Sequence, residues 1–148
     1  PEKFIPMAIR KVRDGQTVTI HANKEKTKAG SRHYVHAKDV ADGLMFILNA
    51  PVEFDPIPDF GGAKIRKFNI VGPDEVDNLE LARLIAEAQG KELKYEMVDF
   101  HSSRPGHDLR YALSGEYMKK LGWVPKISLR ERITDMVKWT LENDKWLK

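Results

Sequence analysis

Apolar positions recur along this chain with two periods, and their alternation predicts a mixed α/β fold. Near the start, Ile5, Ala8, Ile9 and Val12 fall at helical spacing and Gly15 follows the last of them, so a helix packed by one face is expected. That helix opens at Pro1 with no cap before it, which suggests a chain cut from something longer. Val18-Thr19-Ile20 is a short β-favouring run. Arg32 to His36 reads as a strand feeding straight into a helix over Ala37 to Asn49, with Val40, Leu44, Ile47 and Leu48 on one face. A strand that runs directly into a helix is the grammar of α/β proteins.

Prolines and paired glycines between Pro51 and Lys64 mark a connection, and Arg66 to Val71 reads as a strand ended by Gly72-Pro73. Asp77 with Glu80 forms a capping-box signature ahead of Leu81, Leu84, Ile85 and Ala88, and Gly90 stops that helix. Leu93 to Val98 suits a strand, and Ser114 can cap a short helix ending near Gly122. Ser128 with Glu131 makes a second capping box for a final amphipathic helix through Leu129, Ile133, Met136, Val137, Thr140 and Leu141. The lysine-rich tract Asn23 to Gly30 reads as a mobile loop, either a solvated charge run or a lid that adds cationic charge near an anionic ligand.

Composition narrows the class only a little. With 148 residues, 41% of them hydrophobic and no compositional break, residues 1–148 are expected to form one unit around one core. A net charge of +3, from 25 basic and 22 acidic side chains, permits an acidic small-molecule ligand and does not call for nucleic acid. The absence of cysteine excludes a disulfide scaffold and fits a reducing compartment. No signal peptide is visible, and apolar runs fall short of the ~20 residues that a spanning helix needs. A cytoplasmic protein that does not engage membranes is therefore expected.

The densest chemistry lies in Arg104-Pro105-Gly106-His107-Asp108-Leu109-Arg110-Tyr111, where two guanidiniums, an imidazole, a carboxylate and a phenol flank a Pro-Gly turn signal. Guanidiniums take phosphate oxygens bidentately, so the segment suits an anion; the competing reading is a solvated loop with Asp108 paired to a neighbouring arginine. Tyr34 and Lys38 match the spacing of a tyrosine–lysine base pair, but they straddle a strand end and a helix start, where they need not share a face. No G-x-G-x-x-G fingerprint occurs, and Gly61-Gly62 lacks the strand before and the helix after that such a site requires. The five histidines include no pair at i, i+4, so no metal site is expected. Trp123, Trp139 and Trp146 are expected to be structural.

Arg104 to Ala112, with Leu121-Gly122-Trp123 beyond it, resembles the C-terminal region of the dTDP-glucose 4,6-dehydratases, NAD-dependent nucleotide-sugar enzymes of the extended short-chain dehydrogenase/reductase class. Pro1 to Pro6, Arg32 to Asp39, Phe68 to Gly72 and Lys138 to Trp146 resemble further family segments in the same order. Most of these are shared with nucleotide-sugar epimerases and decarboxylases, so a portion of such an enzyme is the alternative, as is a non-catalytic binding module. The resemblance implies the C-terminal part of a Rossmann-type α/β fold without the dinucleotide-binding portion. The implied reaction oxidises the hexose at C4, eliminates water across C5 and C6 and returns the hydride to C6. The family's cofactor loop and tyrosine–lysine pair lie upstream of Pro1, so this chain alone is expected to carry no catalytic residue and to bind no NAD.

Carried over by resemblance, the substrate-binding residues are Lys3 and Phe4, Thr19 and Ile20 around the nucleobase, and Arg32 and Arg104 on the diphosphate, with Asn69, His107 and Tyr111 nearby. The implied partner is a nucleotide-diphosphate sugar such as a dTDP-hexose. Association with a catalytic N-terminal half, or with a second copy, is expected to cover apolar edges left exposed. His21-Ala22-Asn23 and the lysine tract replace the family's short glycine turn, which opens the identity of the base.

Overall fold

The computed structural model describes residues 3–50, 57–58, 64–65, 67–99 and 108–147. Its helices follow the apolar stripes closely. Helix α1 (Phe4–Arg13) ends at Gly15, which takes a φ of +66° that only glycine adopts without strain. Strand β1 (Val18–Ala22) leads by a turn to β2 (Ser31–His33), which feeds α2 (Ala37–Asn49). Two-residue strands β3 (Ile57–Pro58) and β4 (Lys64–Ile65) pair within the stretch expected to be a plain connection. Then come β5 (Glu75–Asp77), α3 (Asn78–Ala88), β6 (Tyr95–Asp99), β7 (Arg110–Tyr111), α4 (Glu116–Lys120), α5 (Leu129–Glu142) and a final 3₁₀ turn, Asp144–Leu147.

Caps set the helix starts. Asp77 accepts from the Leu79 and Glu80 amides at 2.9 and 2.8 Å, while the Glu80 carboxylate turns to Arg83 at 3.7 Å, so its expected box is only half made. At α5 the box is reciprocal: Ser128 and Glu131 each accept from the other's backbone amide. His36 caps α2 by accepting from Lys38 N at 3.1 Å. Burial, reinforced by the Arg132 guanidinium, holds that imidazole below its ordinary pKa and so keeps it a neutral acceptor.

Strand β1 pairs in parallel with β6; α1 and α3 pack against β1, and α5 packs on α3. Ile9, Val18, Ile20, Leu81, Ile85 and Val137 are fully enclosed there. A separate three-stranded sheet in the order β5-β2-β7 has β2 at its centre, antiparallel to β5 and parallel to β7. No helix among the described residues is long and apolar enough to cross a membrane.

Three expectations need correcting. Residues 67–71 form no strand, and the Asn69 side chain donates to the Ser114 carbonyl at 3.1 Å. The lysine tract is an ordered hairpin: the Asn23 carboxamide oxygen accepts from the Thr27 and Lys28 amides, both at 2.8 Å, and Ala22 bridges Ala29. Finally, α2 presents two apolar faces. Gly43 seats against Trp123 and Ile70, whereas Leu44 and Leu48 are 52% and 77% exposed.

Helix α2 contributes no residue to the main core. It is tied down by Trp123, whose indole donates to Asp42 at 2.8 Å, and by an ion pair between Asp39 and Arg132 of α5. Trp123 is thus structural, as expected, whereas Trp139 and Trp146 lie half exposed and touch each other.

Candidate functional site

Strands β2 and β7 bring Arg32 and Tyr111 together. The two residues face each other in register, and the guanidinium carbon lies 4.2 Å from the centroid of the Tyr111 ring. Stacking of this kind stabilises the cation and fixes its plane. Arg32 Nη1 donates to the Ser31 and Leu109 carbonyls at 2.6 and 3.1 Å, so the side chain is anchored at one nitrogen. Its remaining donors have no partner among the described residues and can take an anion's oxygens.

Around this pair lies a cavity of about 400 Å³, lined by Arg32, His33, Val35, Ile70, Val71, Tyr111, Ala112 and Leu113. Its walls are chiefly apolar, with Arg32, His33 and Tyr111 as the polar side chains. That suits a ligand with an anionic part and a less polar ring. The sequence pointed to Arg32 and Tyr111 but not to the apolar lining, because Val35, Ile70, Val71 and Leu113 carry no polar chemistry to single them out and meet only through the fold.

The other expected site residues divide. Asn69 lies beside Ile70 of the cavity wall, with its amide engaged on Ser114. Thr19 sits on the other sheet, where its hydroxyl donates to Glu96 at 3.2 Å. The Ile20 side chain is wholly buried in the core, because inward and outward positions alternate along β1. Lys3 immediately precedes α1 and Phe4 packs against the core; neither lines the cavity. Arg104 and His107 lie outside the described residues. The Leu109 carbonyl accepts from both Ser31 N at 2.8 Å and Arg32, which ties Leu109 to β2.

Tyr34 and Lys38 do not form a base. The phenol donates to the Asn78 carboxamide, and burial pushes its pKa up, opposite to what proton abstraction needs. Lys38 lines a different cavity, with Val35, Arg132, Met136 and Trp139. Beside the Arg32 site, Glu75 receives both Arg110 and Ser31 and is held at a pKa of about 2, chiefly by the Arg110 hydrogen bonds. The described residues contain no cluster of three or more histidine or acidic side chains able to hold a metal.

No protein-family model matches the chain. Among curated proteins, a dTDP-glucose 4,6-dehydratase of Streptomyces niveus is 29% identical over 147 residues, which is 99% of this chain and 39% of that protein. One from an Actinoplanes species is 30% identical over 149 residues, 99% of this chain and 41% of its own length. The crystal structure of the Bacillus anthracis dTDP-glucose 4,6-dehydratase in complex with NAD superposes with a TM-score of 0.74 at 26% identity, covering all of this chain and 43% of the enzyme. Over almost its whole length the chain is similar to the dTDP-glucose 4,6-dehydratases of the extended short-chain dehydrogenase/reductase class. It corresponds to the C-terminal part of that fold and spans about two fifths of the length of the relatives it matches. A Thermus thermophilus UDP-glucose 4-epimerase complexed with NAD also shares the architecture, with a TM-score of 0.69 at 25% identity over 91% of this chain and 39% of the enzyme.

Proposed function

We propose that this chain is the nucleotide-sugar-binding portion of an NAD-dependent 4,6-dehydratase acting on a dTDP-hexose. The observation that carries the reading is the Arg32 guanidinium, stacked on Tyr111 at the mouth of an apolar cavity with donors to spare. A diphosphate supplies the anionic oxygens, and a nucleoside or sugar ring supplies the less polar surface. Arg104 and His107 are proposed to complete the anion site, and Asn69 to border it.

The described residues do not fit the cofactor. Strand β1 runs into the Asn23 hairpin, and β2 enters α2 through Tyr34, Val35 and His36, so neither passes through the glycine turn that lets a backbone approach a pyrophosphate. The space at Gly72 is filled by the Tyr34 carbonyl rather than left for a ligand. No catalytic step is therefore assigned to this chain, and in this reading NAD and the acid/base residues belong to a catalytic portion.

The outer face of α2, with Leu44 and Leu48, is proposed to receive that portion. Leu44→Lys/Leu48→Lys is expected to leave the thermal midpoint of the isolated chain within a few degrees, since neither side chain is buried. The same pair should abolish co-purification with the cofactor-binding portion of a relative, while retained co-purification would refute this docking face.

Titration calorimetry with dTDP tests the site itself. Arg32→Ala should weaken binding about tenfold to a hundredfold, as expected for charge-assisted bonds worth on the order of 1.5–3 kcal/mol. Tyr111→Ala should act in the same direction. Arg130→Ala should have no effect, because Arg130 pairs with Glu87 on the far helices. Equal affinity in all the variants would remove the diphosphate assignment, and tighter binding of UDP than of dTDP would favour an epimerase-type relative.

A further inference from the structure

The pairing that creates the Arg32–Tyr111 stack is short. Strands β2 and β7 share two register positions, Ser31 with Arg110 and Arg32 with Tyr111, so the backbone ladder alone gives this junction little hold. Alternation places Ser31 and Arg110 on one face of the sheet and Arg32 and Tyr111 on the other. On the first face, Glu75 of β5 reaches across the central strand. Its Oε1 accepts from Ser31 Oγ and Arg110 Nε, both at 2.7 Å, and its Oε2 accepts from Arg110 Nη2 at 2.8 Å. His33 Nε2 stands 3.8 Å from Oε2, and His33 Nδ1 contacts the Gly72 carbonyl at 3.3 Å.

One carboxylate thus ties all three strands together from the face opposite the stack. Glu75 is absent from the cavity lining, so it acts through the backbone and not by touching a ligand. The Arg110 side chain is 62% exposed, and an ion pair so open to water adds little to global stability. What a bidentate pair provides here is geometry: two parallel bonds fix the position of β7 along β2.

We infer that Glu75 is a positioning residue for the candidate anion site, holding β7 in the register that stacks Arg32 on Tyr111. The inference rests on the diphosphate reading of that site for its functional consequence, but its structural half is testable without it. The Arg110 and Ser31 hydrogen bonds hold the Glu75 pKa down at about 2, so the clamp stays charged through the ordinary glutamate range and is lost only as pH falls through about 2.

The test uses the whole chain and Glu75→Gln, which keeps the shape and removes the charge. Two readouts are taken: dTDP affinity by calorimetry, and the ring-current shift that the Tyr111 ring imposes on the Arg32 side-chain resonances in NMR. In Glu75→Gln the Arg32 shift should largely disappear and dTDP affinity should fall about tenfold, with the thermal midpoint nearly unchanged. The reversed pair Glu75→Arg/Arg110→Glu should restore much of both. An unaltered Arg32 shift in Glu75→Gln would overturn the inference, whatever happens to affinity. Loss of the shift in a chain whose wild type binds no dTDP would uphold the positioning role and refute the diphosphate reading instead.

Discussion

Gly72→Ala is expected to destabilise the chain by at least about 3 kcal/mol, the upper end of overpacking costs. A β-carbon built at Gly72 falls 1.8 Å from the Tyr34 carbonyl oxygen and 2.6 Å from its carbon. Both are backbone atoms, so no rotamer change relieves the contact. The 72–73 turn or the end of β2 has to move, and that displaces His33, which bonds the Gly72 carbonyl, together with the neighbouring Arg32. Urea unfolding should show a large fall in midpoint, and the stack of Arg32 on Tyr111 should be lost with it. Gly115→Ala is the control. Its β-carbon would meet Val71 at an ordinary 3.4 Å, and its cost should stay within about 1 kcal/mol. Equal midpoints for the two variants would show that the approach of Gly72 to Tyr34 is not a constraint on this fold.

Gly72 also shows where sequence reading stops. The dipeptide Gly72-Pro73 announces a turn, but nothing local says that a distant carbonyl fills the place of a side chain. Local signals gave the helices well. Helix α2 spans the expected Ala37–Asn49, Ser128 with Glu131 makes a complete capping box, and Gly15 and Gly122 stop their helices at positive φ. What depends on a neighbour was harder to read. Residues 67–71 have strand chemistry, yet no ladder forms along them, and a ladder needs a neighbouring strand in register as well as suitable residues. The stripe of Val40, Leu44, Ile47 and Leu48 predicted one buried face; a helix that is apolar over a wider arc satisfies the same periodicity, and Gly43 with Trp123 takes the inner side.

The same limit applies to the site. Arg32 and Tyr111 were legible through resemblance, and the fold unites them across 79 residues of sequence. Ile20 shows the converse case. Its neighbour Thr19 points outward, but strand alternation commits Ile20 to the core, a distinction that a list of matching positions does not carry. Glu75 was invisible because it belongs to no motif and acquires its partners only when β2 separates β5 from β7.

Removal of one partner from the Asp39–Arg132 pair should give the second large loss. Asp39 is 5% exposed and the Arg132 side chain 15%, so either charge left alone is poorly solvated. The Asp39 hydrogen bonds are the chief reason that the guanidinium's pKa is raised. Asp39→Ala should cost on the order of 1.5–3 kcal/mol and lower the thermal midpoint by roughly 5–10 °C. The Asp39→Ala/Arg132→Met double variant should lose clearly less than the sum of the two single changes, since no charge is then left unpaired. The damage should also be local. Because α2 shares nothing with the main core and rests on this pair, the Asp42–Trp123 bond and the Gly43 contact, its amides should exchange faster in Asp39→Ala while those of α3 change much less. Strict additivity, or equal acceleration in α2 and α3, would show that the pair is no separate tether. Where α2 loosens, Val35 and the end of β2 loosen with it, so dTDP affinity should fall in Asp39→Ala although Asp39 lines no part of the Arg32 cavity.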